Sequence, residues 1–374
     1  MPLRVMIINH AYAARENRKS LVALAENVDV LALAPDHLAG TSLGLSSPRS
    51  DPLEAGDPVV LKRAAYLKQK LLLAPFVDEM RSFGPDVIHV ETAPWIPITW
   101  ETLALARVAA PKAKLVLTLR KNTYVHGRPP FEWVKAAARR LIDPHVHAYV
   151  AESEMTRALW ENLFGLERRR SYLCPQLGVD TTHFTPADEC PAKSAHLTVG
   201  YVGRLEPAKG IPELLDAVEE AAASMPLQLH LLGHGSLQSS LRRRAQSAEW
   251  LEVHEAVEHE QVAGFLRRCD VFAMPSRNLP DHQEHDGHAL MEAMACGLPA
   301  IITRSGILPE LATTDTAFFV RERHPSDIQR ALRQAGDQTL RTAMGGRARS
   351  RAVELFSLSA LARRRHLIYE EVCA

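Results

Sequence analysis

Two doubly wound α/β domains, each built on a mostly parallel sheet, are the fold that this chain predicts. Three observations predict it. Short apolar runs of strand length alternate with amphipathic runs of helix length through both halves. A Pro-rich stretch, Ser171–His196, interrupts that series once. The length, 374 residues, exceeds what one small core accommodates.

In the first half RVMIIN (Arg4–Asn9) reads as a buried strand, and HAYAARENRKSLVALAE as a loop and a helix with Leu21, Leu24 and Ala25 on one face. VDVLALAP is the next strand, which makes a βαβ unit. Asp36–Pro58 is rich in Gly, Ser and Pro and reads as a long loop. VVLKRAA follows, then a helix near Tyr66–Phe83, the strand DVIHVE (Asp86–Glu91), a helix over Trp95–Ala109 and the strand KLVLTLR (Lys114–Arg120). KNTYVHGRPP is a loop, FEWVKAAARRLI a helix, HAYVAES a strand, and a helix runs to Phe164. The second half repeats the scheme: LTVGYVG (Leu197–Gly203), a helix over Pro212–Ser224, LQLHLLG, a helix over Ser236–Ser247, WLEVHEAV, a helix over Glu260–Cys269, then CDVFAMPS. The domains are therefore expected at 1–185 and 197–355, joined by a linker at 186–196, with a helix at 356–374 packing back toward the first domain.

Composition narrows the function classes. Apolar residues make up 46% and charged residues 24%, as in ordinary globular proteins. Lys+Arg and Asp+Glu both number 44, and this balance argues against nucleic acid as the main partner. Basic triplets at Arg168–Arg170, Arg242–Arg244 and Arg363–Arg365 read as solvated helix ends and faces, with anionic-lipid contact as the alternative. The five cysteines, Cys174, Cys190, Cys269, Cys296 and Cys373, are widely spaced without a C-x-x-C, as expected of a reduced, cytoplasmic protein without a disulfide frame or zinc site. No apolar run is long enough to span a membrane, and MPLRVMIINH enters a strand at once instead of forming a signal peptide.

Chemistry concentrates in three places. In residues 269–303 a strand, a polar loop and a helix from about Gly287 to Cys296 carry Glu284 in the loop and Glu292 about one turn inside the helix. The first N–H groups of such a helix have no intrahelical partner, and that end carries roughly half a positive charge. It is a ready phosphate site, and carboxylates beside it can accept hydrogen bonds from sugar hydroxyls, so the pair suggests a nucleotide-sugar. Taken alone, Glu284 also fits a solvated loop acid, and Glu292 a buried carboxylate paired with an arginine. In GYVGRLEPAKGI, Arg204 and Lys209 lie between a strand and a helix begun by Pro212, where two cations can grip a diphosphate or simply face water. In LLGHGSLQSSL, Gly233 and Gly235 bracket His234 after a strand; the turn either touches a ligand or only links two elements, and it is not a dinucleotide fingerprint.

VGRLEPAKGIPELLDA, EHDGHALMEAMACGLPAIITRSGILPEL and PQLGVDTTHFTP together resemble the retaining glycosyltransferases of family 4, which have the GT-B fold of two Rossmann-like domains facing a cleft. The likeness covers most of residues 171–320. It implies that Arg204 and Lys209 bind the donor diphosphate, that Glu292 binds the ribose, and that Glu284 with Gly287, His288 and Ala289 binds the donor sugar and phosphate. It also places the nucleobase near Ala256 and Val257, with Gly233 on the donor side. Arg204, Lys209 and Glu284 are then the catalytic candidates.

The chain departs from the family pattern in three ways. Glu284-His285-Asp286-Gly287 stands where members often carry Glu-Gly-Phe-Gly, so Asp286 and His288 either face the donor region with unusual chemistry or Asp286 simply caps the helix. His10, Tyr12, Arg15, Glu16, Asn17 and Arg18 replace a Gly-Gly loop after the first strand. Arg120 stands where many members have a sugar-contacting His; His126 and Arg128 follow on the next loop, either facing an acceptor or solvent. Trp95 and Trp100 suit a sugar platform or the core. His10, Arg120, His126 and Arg128 are the acceptor-side candidates.

The expectation is a retaining hexosyltransferase taking a nucleoside diphosphate sugar, UDP-sugar ahead of GDP-mannose, and passing the sugar to a hydroxyl of a glycan, a lipid-linked glycan or a small molecule. No Asp-x-Asp occurs, so neither metal nor cofactor is expected, and cations stabilise the leaving group. At most peripheral membrane contact is expected. A nucleotide-sugar epimerase, a pseudo-glycosyltransferase forming a bond to an amine, and a non-catalytic sugar-nucleotide-binding subunit are the alternatives.

Overall fold

The computed structural model describes residues 1–37, 50–67, 70–73, 75–119, 129–167, 170–187, 196–280 and 282–374. The chain forms two compact units, Met1–Gly178 with Leu358–Ala374, and Val179–Ser357.

In the first unit, β1 (Arg4–Ile8), α1 (Arg15–Ala25), β2 (Asp29–Pro35) and β3 (Val59–Lys62) begin a parallel sheet. A hairpin of β4 (Ala64–Leu67) and β5 (Lys70–Leu73) follows, then α2 (Val77–Phe83), β6 (Val87–Val90), α3 (Pro97–Ala109) and β7 (Lys114–Leu119). The unit continues through α4 (Pro129–Ile142), β8 (Ala148–Ala151), α5 (Glu154–Phe164) and β9 (Ser171–Leu173). The seven strands lie in the order β3-β2-β1-β6-β7-β8-β9. The helix expected over Tyr66–Phe83 is therefore only its last third. Leu, Lys and Gln favour a helix locally, but the antiparallel ladder of Ala64–Leu67 with Lys70–Leu73 takes the backbone instead. On α1 the buried face is Arg18, Leu21 and Leu24, while Ala25, expected on that face, is exposed.

The second unit contains β10 (Leu197–Val202), α6 (Ile211–Ala222), β11 (Leu227–Leu232), α7 (Gln238–Ala245), β12 (Leu251–His254), α8 (His259–Leu266) and β13 (Val271–Met274). It continues through α9 (His288–Ala295), β14 (Ala300–Ile302), α10 (Leu308–Leu311), β15 (Ala317–Phe319), α11 (Pro325–Ala335) and α12 (Gln338–Arg351). Its six strands are parallel in the order β12-β11-β10-β13-β14-β15, with helices on both faces. Central strands such as β10, buried from Leu197 to Tyr201, read as continuous apolar runs for that reason. Both units are thus Rossmann-like α/β domains.

The first unit ends at Gly178, ahead of the boundary expected at residue 185. Val179 N–H donates to the Phe356 carbonyl at 2.8 Å and pairs with Ser357, so the Gly-Val-Asp stretch belongs to the second unit. Arg267 donates to the carbonyls of His183 and Thr185, and Arg349 to those of Thr181 and Phe184, which holds the next residues there. Most of the linker expected at 186–196 lies outside the described residues. The last helix, α13 (Leu358–Cys373), packs on α1 in the first unit and buries Leu361, Ala362, Ile368 and Tyr369.

Candidate functional site

In the second sheet the strand order reverses between β10 and β13. Loops leaving the carboxyl ends of two such strands diverge and leave a crevice, the usual ligand position in open parallel sheets. The loop after β10 carries Arg204 and Lys209; the loop after β13 carries Ser276 through Glu284 and runs into α9.

Lys209 ends a short 3-10 turn, Pro207–Lys209, and its side chain turns inward. Its Nζ lies 2.5 Å from Glu284 Oε1, and both residues are buried. The Ser276 hydroxyl donates to the same oxygen. Glu284 is fixed through its backbone as well: its carbonyl accepts from Ile307 N–H at 3.1 Å, and its N–H reaches Ser305 Oγ at 3.3 Å. The two loops are joined directly, since Arg277 N–H donates to the Ala208 carbonyl at 2.9 Å. Glu284 is therefore not a solvated loop acid.

Arg204 is exposed at the rim, and the Tyr201 hydroxyl donates to its carbonyl at 2.7 Å. Gly233 closes the adjacent turn with φ 150°; a Cβ there would stand 1.9 Å from the Gly203 carbonyl oxygen. Only glycine lets the ends of β10 and β11 approach that closely.

Gly287, with φ 62°, is the N-cap of α9, and no side chain caps this helix. Asp286, expected as a possible cap, is exposed and makes no such bond. The N–H groups of His288 and Ala289 thus open the helix toward the crevice without intrahelical acceptors. Glu292 lies one turn further and is buried. Its partner is not an arginine but His259, whose Nε2 lies 2.5 Å from Glu292 Oε1. Val257, on the segment after β12, is 42% exposed.

Three residues not anticipated from sequence belong to this site: Ser276, His259 and His282. Burial pushes the His282 imidazole below its ordinary pKa, and the cations Lys209 and Arg204 add to the effect. Its Nε2 is buried without a hydrogen bond. Single histidines and serines in a polar loop or at a helix start carry no periodic signal, so their roles were not legible.

The first unit has a buried polar centre at its own switch point, between β1 and β6. Glu91 is fully buried; its Oε2 accepts from Asn9 at 2.6 Å, Tyr12 at 2.9 Å and Gln176 at 2.8 Å, and Arg365 of α13 lies 3.1 Å from its Oε1. Burial pushes the Glu91 carboxyl up, but Arg365, His89 and the hydrogen bonds from Asn9 and Gln176 together outweigh this and hold it below the ordinary range. Arg365, expected on a solvated face, is thus an interior anchor, whereas Arg363 and Arg242 are exposed. The residues replacing the Gly-Gly loop anchor backbone. Buried Arg18 donates to the carbonyls of Tyr12, Ala13, Asp51 and Pro52 and pairs with Asp57 at 3.1 Å. His10 opens a 3-10 turn after β1. Trp95 stacks on Trp160 with centroids 5.3 Å apart, and Trp100 packs against the core. Arg120, His126 and Arg128 lie outside the described residues.

Residues 189–351 match the family described as glycosyl transferases group 1. One relative, the GDP-mannose-dependent monoacylated alpha-(1-6)-phosphatidylinositol monomannoside mannosyltransferase of Corynebacterium glutamicum, is 28% identical over 58% of this chain and 59% of its own. The D-inositol 3-phosphate glycosyltransferase of Corynebacterium jeikeium is 32% identical over 52% of this chain and 50% of its own. The chain thus spans only about half to three-fifths of these curated relatives. Among solved structures, HepE of Anabaena in complex with UDP aligns over 99% of this chain and 100% of its own, with TM-score 0.72 at 16% identity. Sucrose-phosphate synthase of Thermosynechococcus elongatus covers 99% and 98%, with TM-score 0.71 at 18% identity. The fold is GT-B.

Proposed function

We propose that the chain is a retaining glycosyltransferase of family 4 that moves a hexose from a nucleoside diphosphate donor to an acceptor hydroxyl. The observation that carries this reading is the buried Lys209–Glu284 pair at the switch point of the second sheet, beside the uncapped start of α9. A diphosphate entering the crevice draws Lys209 Nζ away from Glu284 and takes the His288 and Ala289 N–H groups as donors. Exposed Arg204 closes on the outer phosphate oxygens. These contacts strengthen as charge grows on the leaving diphosphate, so they lower the barrier more than they tighten the ground state. Glu284, released from Lys209, accepts from the sugar hydroxyls, and Glu292 accepts from the ribose. Arg204, Lys209 and the helix end supply the positive charge at the leaving group, so no metal is assigned to this step. Retention follows from front-face attack, with the departing phosphate oxygen accepting the acceptor's proton.

For the donor, the mannosyltransferase relative supports GDP-mannose. The UDP-sugar expected from sequence has no such support, because HepE, solved with UDP, is only 16% identical and carries the fold and not the substrate. GDP-mannose is therefore placed first. The acceptor hydroxyl belongs to a glycan, a lipid-linked glycan or a small polyol, and the first unit holds it. Among the described residues no helix is long and apolar enough to cross a membrane.

The test is incubation with GDP-mannose, UDP-glucose and UDP-N-acetylglucosamine, followed by NMR for sugar release or transfer. Release of GDP or UDP with an α-configured product supports the reading. A sugar epimerised without acceptor, or binding without turnover across acceptors, overturns it.

A further inference from the structure

We propose that His230, Glu252 and His254 form a binding site for a borderline divalent transition-metal ion, represented by Zn2+, at the edge of the second sheet. The site is separate from the transferase reading and stands on its own geometry. His230 on β11 pairs in register with Glu252 on the edge strand β12, and His254 follows two residues later on the same face. His254 Nε2 lies 3.3 Å from Glu252 Oε2, and His230 Nε2 lies 3.8 Å from the same oxygen. One ligand atom from each residue falls within 4.8 Å of the others. A tetrahedral Zn2+ with ligands at about 2.0–2.1 Å sets neighbouring ligand atoms about 3.3–3.4 Å apart. Two edges of that figure are thus nearly formed, and small side-chain rotations close the third.

A second observation points to a ligand. His254 Nε2 is buried and makes no hydrogen bond, although a carboxylate oxygen stands beside it. An unsatisfied buried nitrogen is a cost that a metal ion would remove. The His254 ring is held against Phe265, centroids 5.6 Å apart, and against the His230 ring at 5.5 Å, so the set is preorganised. Two imidazoles and one carboxylate suit Zn2+, Ni2+ or Cu2+, whereas Mg2+ and Ca2+ prefer oxygen alone. Arg268, set over the Phe265 ring, opposes a dication, and the Glu252 charge offsets it. Gln228 Oε1, 3.4 Å from His230 Nε2, is the other polar neighbour. Exposed Glu252 leaves room for a water as fourth ligand. The ion would clasp β12, which has a sheet neighbour on one side only, to β11.

The experiment is titration of the untagged, metal-stripped full chain with Co2+, read by its visible absorption, then displacement by Zn2+. The expected result is one Co2+ per chain with a tetrahedral-type spectrum lacking thiolate bands, displaced by Zn2+ and not by Mg2+. His254→Ala and His230→Ala should weaken binding by at least about tenfold. Should either fail to fold by circular dichroism, Glu252→Gln and His254→Asn carry the same comparison. Absence of binding in the wild type, a thiolate spectrum, or unchanged affinity in folded variants overturns the proposal.

Discussion

Lys209 Nζ and Glu284 Oε1, 75 positions apart in sequence, meet at 2.5 Å inside the second unit. The pair makes each residue a structural partner of the other, so replacing one has two consequences. Lys209→Ala takes the facing cation away from the buried Glu284 carboxylate, which should destabilise the fold by up to about 3–5 kcal/mol. It should also lower kcat by roughly 10²–10³ if Lys209 stabilises the leaving group. The double variant Lys209→Met with Glu284→Gln separates the effects: urea denaturation should show most of the stability returning, while turnover stays low. Recovery of turnover with stability would remove Lys209 from the reaction.

Glu292 and His259 give a binding prediction. Glu292→Gln keeps the shape of the side chain but removes the charge that accepts the ribose hydroxyls. Hydrogen bonds to charged groups contribute about 1.5–3 kcal/mol, so donor KM should rise roughly 10–100-fold with kcat little changed. Steady-state kinetics at varied donor concentration read this split; an unchanged KM would leave Glu292 with His259 alone.

Gly306 has φ 50°, and a Cβ on it would stand 1.8 Å from the Glu284 carbonyl oxygen. Gly306→Ala must push the Glu284 loop out of place or unfold it locally. Thermal melting should show a loss of at least about 2 kcal/mol, with donor binding weakened at the same time. A stable variant with normal binding would mean that the loop can move without consequence.

Acid sensitivity should come from the first unit. Burial lowers the His89 pKa to about 4, and its ring bonds to Tyr369 and Thr118 at 2.8 Å each. As pH falls from about 6.5 toward 4, the unfolded chain takes up a proton that the folded one refuses. Stability should therefore fall through this window, by up to about 3 kcal/mol from this group. Glu91, whose carboxyl is held low, adds to the loss below the ordinary carboxylate range. Denaturation curves between pH 7 and 4 should be visibly flatter for His89→Gln; equal slopes would assign the acid sensitivity elsewhere.

What the sequence determined by itself was local or nearly so. Alternating apolar and amphipathic runs specified the strands and helices because their periods follow from backbone geometry. The order of Arg204, Lys209, Glu284 and Glu292 along the chain marked the loops that carry the candidate site, since loops at strand ends are where such residues collect. Only the tertiary structure decided who meets whom. The strand order β12-β11-β10-β13 brings the loop of Lys209 against that of Glu284, sets His259 on Glu292, and lays His230 beside Glu252. It also turned Tyr66, Leu67 and Lys70–Leu73 from an expected helix into parts of an antiparallel strand pair, and Arg365 from an expected surface charge into the partner of Glu91. The physical reason is common to all of these. A side chain's charge and a segment's propensity are local, but burial and partnership depend on which distant strands lie side by side.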